Sequence, residues 1–159
     1  MVQLVDGYDI DLKTGKITYE IPYDRPYDWC KSGDERLFAD MVTPAGLAEI
    51  RTYADGIGVW KPYIVPVKGH IDTNGDAKVD LQDATTKPPT LLVAKAHKQG
   101  LFVHVFTFRN EKRRLAADYR GDPQAEYLQF FRLGVDGVFS EFPDTAVTAC
   151  EAYLHESGR

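Results

Sequence analysis

Leu101–Phe108, with the sequence LFVHVFTF, is the stretch that decides the fold class. Its continuous apolar character is typical of a parallel β-strand that is covered on both faces. The segment before it, Leu91–Gln99, has the composition of a helix and stops at Gly100, which predicts a left-handed C-terminal cap. A helix that leads directly into a buried strand indicates an α/β protein.

Short apolar runs and helix-start signals alternate along the rest of the chain. Three more strands are predicted, at Met1–Gly7, Ile57–Trp60 and Val135–Phe139. Three more helices are predicted from their N-terminal caps, which are Thr43, Asp122 and Asp144. Strands that alternate with amphipathic helices in this way form βα units and a parallel sheet.

The parallel sheet is expected to belong to a barrel. A doubly wound sheet usually carries a nucleotide-binding loop, and the sequence contains neither Gly-x-Gly-x-x-Gly nor Gly-Lys-Ser/Thr. A (β/α)8 barrel needs about 250 residues, and the chain has 159. The sequence therefore predicts one α/β domain over residues 1–159 that is the second half of a TIM barrel, with residues 61–87 as a loop insertion.

Composition and charge exclude several classes of partner. Lys and Arg number 19 against 24 Asp and Glu, and the net charge of −5 argues against a nucleic-acid binder. No stretch approaches the roughly 20 apolar residues of a membrane span. Met1–Gly7 lacks the cationic leader and apolar core of a signal peptide, so none is expected in this chain.

Three segments in the second half of the sequence resemble the C-terminal part of the glycerophosphodiester phosphodiesterase family. They are Phe106–Glu111, Asp118–Pro123 and Gly134–Asp144. Tyr53–Gly58 and Leu4-Val5 are similar to segments of the larger bacterial members, so the resemblance covers roughly residues 1–155. One departure is Glu141, where the family usually has Asp.

The resemblance implies an enzyme that hydrolyses glycerophosphodiesters to glycerol 3-phosphate and an alcohol. It also implies a TIM barrel, a divalent cation (calcium or magnesium) and, for members of this type, a periplasmic or secreted location. The family's catalytic groups are a His-Arg pair, a Glu-x-Asp, a His-Asp and a Glu-x-Lys, all in the first half of the barrel.

None of these catalytic motifs occurs in this sequence. Its four histidines are followed by Ile71, Lys98, Val105 and Glu156, and no glutamate begins Glu-x-Asp or Glu-x-Lys. Phosphodiester hydrolysis needs a positioned acid, a base and stabilisation of charge on the phosphoryl oxygens. We therefore expect an inactive chain that is a fragment or one half of a split enzyme.

An incomplete barrel would leave free strand edges and an open inner face. The expected edges are the strand near Val2 and the strand at Val135–Phe139, and the inner face is expected to carry Phe102, Phe106 and Phe108. Exposed edges invite pairing with another chain. The expected partner is therefore the missing N-terminal half or a second copy.

Candidate substrate-binding residues stand at the carboxyl ends of the predicted strands, where barrels place their chemistry. Phe106 occupies the place where the family usually has Trp or Tyr lining the pocket, and a role in the core is the alternative. Trp60 lies beside Lys61, and Lys61 and Arg109 are cations suited to phosphate. Pairing with a neighbour such as Glu111 is the alternative role for the cations.

Two further residues near these strand ends have competing interpretations. His104 lies mid-strand among apolar residues and is expected to be a satisfied core histidine. Glu141 could assist a metal or orient a loop, and a favourable charge at a helix N-terminus is the competing role.

The insertion contains the pattern of a calcium-binding loop. Oxygen-bearing side chains stand at loop positions 1, 3, 5, 9 and 12, which are Asp72, Asn74, Asp76, Asp80 and Asp83. The pattern resembles the loop of dockerin-type repeats. It departs from it at Ala77, where the turn favours glycine, and at Asp83, where Glu is common. The alternative function is thus a non-catalytic calcium-binding or interaction module on a half-barrel.

Overall fold

The computed structural model describes residues 1–158, which form six helices and eight strands. The strands are β1 (Val2–Val5), β2 (Asp9–Asp11), β3 (Lys16–Thr18), β4 (Gly56–Trp60), β5 (Val67–Lys68), β6 (Thr85–Thr86), β7 (Phe102–Phe108) and β8 (Gly137–Ser140). The helices are α1 (Tyr27–Ser32), α2 (Phe38–Met41), α3 (Pro44–Ile50), α4 (Leu92–Lys98), α5 (Pro123–Arg132) and α6 (Pro143–Ser157).

The main sheet has four strands in the order β1-β4-β7-β8, and every neighbouring pair is parallel. The prediction of an α/β fold with a parallel sheet is therefore confirmed. Over residues 1–158 the sheet does not close, and β1 and β8 form its two edges, as expected. Two small antiparallel pairs, β2 with β3 and β5 with β6, lie outside this sheet.

Local signals in the sequence fix most helix boundaries. The Thr43 hydroxyl accepts a hydrogen bond from the Gly46 amide at 3.1 Å, and the Asp122 carboxylate accepts one from the Gln124 amide at 2.9 Å. Gly100 follows α4 with a φ of 75°, a left-handed conformation that glycine adopts at low cost. Among residues 1–158, no helix is long and apolar enough to span a membrane.

The prediction that Asp144 caps the last helix is wrong. The helix begins one residue earlier, at Pro143, and Phe142 holds the capping position without a side-chain hydrogen bond. Proline is favoured at the first helical position, because its missing N–H would have no helical partner there. Asp144 lies in the first turn, where its charge still favours the positive end of the helix dipole.

Helices cover one face of the parallel sheet and form the main core. The strand residues on this face are fully buried, and they are Val5, Ile57, Val59, Val103 and Val105. Leu47 of α3 and Tyr127 and Phe130 of α5 are also almost completely buried in the same cluster. Alternate residues of each strand therefore face these helices.

Phe108 corrects the expected inner face. It was expected to lie beside Phe102 on that face, but it is fully buried and stacks on Tyr127 with ring centroids 4.5 Å apart. The pairing of β7 with β8 is irregular between Val105 and Phe108, and this irregularity breaks the strict alternation of sides. Phe108 therefore belongs to the helix-covered core.

The opposite face of the sheet is not covered by helices. Leu4 is 55% exposed and Phe139 is 47% exposed, and the half-buried ring of His104 lies between Phe102 and Phe139. His104 is therefore not the core histidine that was expected. A wholly parallel sheet ordinarily has both faces covered.

Residues 61–87 pack beside the carboxyl edge of the sheet. Val67 and Ala84 from this segment form a second, smaller apolar cluster with Leu115, Ala116 and Tyr119. Main-chain hydrogen bonds tie the segment down on both sides, from the Gly69 amide to the Leu12 carbonyl and from the Ala117 amide to the Ala84 carbonyl. The insertion is thus ordered against the parts of the chain that follow β1 and β7.

Gly46 offers a test of how α2 packs on α3. A Cβ at this buried helical position would meet the carbonyl oxygens of Asp40 and Met41, the latter at 2.6 Å. Helix propensity alone would make Gly46→Ala stabilising by about 1 kcal/mol. Because backbone cannot rotate away, we expect destabilisation by about 1–3 kcal/mol in denaturant unfolding.

Ala48→Gly, at an exposed position of the same helix, is the matched control. It should cost about 1 kcal/mol through helix propensity alone. A Gly46→Ala variant that is more stable than the parent protein would contradict the packing of α2 on α3.

Candidate active site

The carboxyl ends of β1, β4, β7 and β8 surround a solvent-filled hollow of about 370 Å³. We call it the mouth hollow, and the side chains that line it include Asp6, Tyr8, Trp60, Lys61, Leu81, Phe106, Thr107, Arg109, Arg114 and Glu141. The structure thus brings together all four predicted substrate-binding residues. They lie at this edge because parallel strands end on the same side of a sheet.

Two aromatic side chains from neighbouring strands form one wall of the mouth hollow. Trp60 and Phe106 are paired in register at the ends of β4 and β7, and both are half-buried. Both therefore offer apolar surface to a ligand. That either one binds substrate stays a prediction.

Lys61 is committed to a buried ion pair with Glu126 of α5. The Lys61 Nζ and Glu126 Oε1 atoms are 2.7 Å apart, and the two side chains are only 14% and 6% exposed. The ammonium also lies 5.1 Å from the centroid of the Phe108 ring. Burial raises the pKa of Glu126, and the charge of Lys61 opposes that rise. The other oxygen, Glu126 Oε2, is buried and has no hydrogen-bond partner among the described residues.

Arg109 joins the ends of β7 and β8 through two carboxylates. It donates to Glu111 at 2.8 Å and to Glu141 at 2.8 Å. The guanidinium holds the pKa of the Glu111 carboxyl down, at about 2. The alternative role for this arginine, pairing with Glu111, is therefore seen, and Glu141 binds the same guanidinium.

Sequence reasoning missed Arg114, which follows β7 in the run Lys112–Arg114. Its side chain lines the mouth hollow and two adjoining spaces. One is an inner pocket of about 60 Å³, lined in part by Trp60, Lys61, Glu126 and Arg114. The other is a side hollow of about 470 Å³ that also includes Arg113. Over residues 1–158, neither arginine forms an ion pair within 4.0 Å.

Glu126 was also missed, because a glutamate in a helix ordinarily lies on its solvated face. The available signal was its place directly before the apolar run Tyr127–Phe131, which turns it towards the core side of α5. Arg114 carried a weaker signal. A run of three cations usually lies in solvent, and only its distance from β7 placed it near the strand ends.

The predicted calcium loop folds around its own aspartates. The Asp72 carboxylate accepts hydrogen bonds from the amides of Gly75 and Ala77, at 2.6 and 2.9 Å. Ala77 takes a φ of 66°, so the sharp turn that favours glycine forms here with alanine. The Asp83 carboxylate closes the loop by accepting from the Thr73 amide at 2.7 Å.

The carboxylates of the described residues are not arranged as a metal site. Across residues 1–158, no three His, Cys, Asp or Glu side chains gather closely enough to hold a metal ion. At the mouth hollow, Glu141 is engaged by Arg109, and in the loop the carboxylates accept from backbone amides. The residues at the mouth therefore do not fit the divalent cation implied by the resemblance. The loop ligands Asp72, Asn74, Asp76, Asp80 and Asp83 stay a prediction.

A polar hollow at the carboxyl ends of parallel strands is where α/β proteins bind ligands and place active sites. Comparison of the sequence gives the family: residues 22–145 match the glycerophosphoryl diester phosphodiesterase family, and the chain belongs to it. The resemblance inferred from the three motifs is confirmed.

Similar proteins of Arabidopsis thaliana carry the same activity in their names. The glycerophosphodiester phosphodiesterase GDPD6 is 36% identical over 108 residues, which cover 67% of this chain and 25% of the relative. The glycerophosphodiester phosphodiesterase GDPDL7 is 40% identical over 115 residues, covering 70% of this chain and 14% of the relative. The protein SUPPRESSOR OF NPR1-1 CONSTITUTIVE 4 is 37% identical over 114 residues, covering 70% and 9%. The chain thus spans a quarter or less of the length of these relatives.

The Arg109–Glu111 pair predicts a specific pH dependence of stability. The pKa of Glu111 is about 2 in the folded chain, against an ordinary value of 4.5. A lowered pKa contributes stability above the ordinary value, and this contribution is lost as pH falls towards the folded value. Glu111→Gln should therefore lower Tm at pH 6, and the difference from the parent protein should vanish near pH 2.

The measurement is a series of thermal melts between pH 2 and 7. Glu151→Gln, at an exposed position of α6, is the control and should follow the parent protein throughout. A Tm difference for Glu111→Gln that stays constant from pH 6 down to pH 2 would show that the ion pair does not set the pKa.

The loop predicts a calcium-dependent stability. A ligand that binds only the native state stabilises it by about 2.7 kcal/mol at a hundred times its Kd. Millimolar Ca²⁺ should therefore raise Tm, and Asp76→Ala should abolish the rise because it removes an oxygen at loop position 5. Asp28→Ala, in α1, is the control. A melting curve that Ca²⁺ leaves unchanged would contradict a site at Asp72–Asp83.

Proposed function

We propose that this chain is the C-terminal portion of the barrel of a glycerophosphodiester phosphodiesterase. In this proposal it works with a complementary N-terminal portion to hydrolyse glycerophosphodiesters to glycerol 3-phosphate and an alcohol. The observation that carries the proposal is the family match over residues 22–145. The mouth hollow supports it, because its position at the carboxyl ends of the strands is that of a barrel active site.

The chain's own contribution is proposed to be substrate binding. Trp60 and Phe106 would pack against the apolar part of the substrate. Lys61 and Arg109, together with the carboxylates that pair with them, would form a charged rim around the phosphodiester. Paired cations still offer free N–H groups to an anion, because a guanidinium carries five donors and an ammonium three.

The acid, the base and the divalent cation would come from the complementary portion. The four histidines of this chain lie outside any His-Arg or His-Asp motif. His104, on the uncovered face of the sheet, lies against aromatic rings and not beside a carboxylate. The catalytic groups for proton transfer are therefore proposed to lie on strands that complete the barrel.

Shape supports completion by further strands. The edges β1 and β8 contain no charged residue and no proline, which are the usual protection against pairing. The uncovered face between them carries Leu4 and Phe139, both largely exposed. Strands added at these edges would cover this face as a closed barrel does.

A second candidate is a non-catalytic calcium-binding or interaction module. The observation that favours it is the loop at Asp72–Asp83, where Ala77 adopts the left-handed conformation that a calcium loop requires at its sixth position. This candidate needs no complementary portion. It differs from the first in predicting a calcium response without any phosphodiesterase activity.

The test is a chimera of this chain with a relative. The chain alone should not hydrolyse glycerophosphocholine, with either Ca²⁺ or Mg²⁺ present, because it lacks the acid–base motifs. GDPD6 in which the 108 matching residues are replaced by those of this chain should hydrolyse it. In the chimera, Arg109→Ala should lower kcat/KM by about tenfold or more, because it removes a cation from the rim.

Arg132→Ala is the matched control in the chimera, since Arg132 pairs with Glu156 between α5 and α6 and lies outside the hollow lining. It should leave kcat/KM within about twofold of the parent chimera. Turnover by the chain alone that a chelator abolishes would overturn the division of labour. An active chimera that is indifferent to Arg109→Ala would overturn the role of the mouth hollow.

A further inference from the structure

Three cations line the mouth hollow, and two of them are already neutralised. Lys61 is held by Glu126 at 2.7 Å, and Arg109 is held by Glu111 and Glu141 at 2.8 Å each. An anion that binds either one competes with a carboxylate that is already in place. Arg114 makes no such pair among residues 1–158, so its full charge is available to a ligand.

Arg114 also stands where the spaces at the carboxyl edge meet. It lines the mouth hollow, the side hollow and the inner pocket, and Trp60 lines all three with it. A ligand whose anionic group lies at Arg114 can therefore extend along Trp60 into the inner pocket. The inner pocket also includes Lys61, Tyr119 and Glu126.

The inner pocket contains an unsatisfied acceptor. Glu126 is only 5% exposed, and its Oε2 atom has no hydrogen-bond partner, whereas Oε1 binds Lys61. A buried acceptor without a partner is costly, by about 1–3 kcal/mol. A donor group that reaches this oxygen therefore gains a hydrogen bond that solvent does not already supply.

The charge and volume of the inner pocket select the kind of donor. Lys61 already balances the charge of Glu126, so a neutral hydroxyl satisfies Oε2 without adding charge. The volume of about 60 Å³ is that of about two water molecules at about 30 Å³ each, which suits a hydroxymethyl group. A phosphate is disfavoured there because it would lie against the carboxylate.

We propose that Arg114 and Glu126 form a binding site for a phosphate ester that carries a free hydroxyl group. Arg114 binds the phosphate at the rim, and Glu126 Oε2 accepts a hydrogen bond from the hydroxyl in the inner pocket, beside Trp60. The inference rests on the proposed function only in the choice of ligand, since a glycerophosphodiester and its glycerol phosphate product carry both groups. The two residues themselves are assigned from the geometry of this chain.

Calorimetric titration of the purified chain at low ionic strength tests the site with three probes. These are sn-glycerol 3-phosphate, ethyl phosphate, which lacks the hydroxyls, and inorganic phosphate. Glycerol 3-phosphate should bind about tenfold more tightly than ethyl phosphate, as one hydrogen bond to a charged acceptor allows. Equal affinity for the two esters would overturn the role of the inner pocket.

Three variants separate the two parts of the site. Arg114→Ala should weaken binding of all three probes by about tenfold, whereas Arg113→Ala, which removes the same charge one residue away, should change it by less than about twofold. Glu126→Gln should reduce the preference for glycerol 3-phosphate over ethyl phosphate and leave phosphate binding intact. Equal losses for Arg114→Ala and Arg113→Ala would show a diffuse charge effect and overturn the assignment of Arg114.

Amide NMR of the parent protein keeps the test independent of any variant's folding. Glycerol 3-phosphate should shift the resonances of residues 112–116 and of residues 125–127, and ethyl phosphate should shift only the first group. Shifts outside both groups would overturn the site. Because no turnover is measured, an inactive chimera leaves this result standing, and failure to bind leaves the proposed reaction to its own test.

Discussion

The parallel pairing of β1, β4, β7 and β8 determines where every other part of the molecule lies. A parallel strand must return to the same end of the sheet before the next begins, so all four carboxyl ends meet at one edge. The segments that follow β1, β4 and β7 therefore converge there, and they carry the side chains of the mouth hollow. The helices that make the returns cover one face of the sheet and leave the other open.

Ion pairs at the carboxyl edge fix positions more than they add stability. Removing Lys61 and Glu126 from water carries a desolvation cost that their attraction only partly offsets. Loss of one partner would leave the other charge buried, so the pair holds the end of β4 against α5. Arg109 acts in the same way at the surface, where it links β7 to Glu141 after β8. The mouth hollow thus has charged walls whose geometry is set before any ligand arrives.

The sequence was sufficient where the signal was local. Thr43, Asp122 and Gly100 mark helix ends through their own backbone and side-chain chemistry, and the apolar run of β7 indicates a buried strand. It failed where the outcome depends on tertiary contacts. Phe108 changes sides because β7 and β8 pair irregularly, which alternation along one strand does not reveal. Glu126 was missed because its partner, Lys61, is 65 residues away.

The uncovered face makes completion of the sheet energetically favourable. The helix-covered core is already closed, with Val59, Val103 and Val105 fully buried, so the fold does not rely on the open face for its interior. Leu4 and Phe139 remain half in water, and burying an apolar side chain of this size is worth up to about 1.5–3 kcal/mol. Such gains are a large fraction of the about 5–15 kcal/mol by which domains are stable. Together with two uncharged strand edges, they favour a complementary set of strands over solvent as the neighbour of this face.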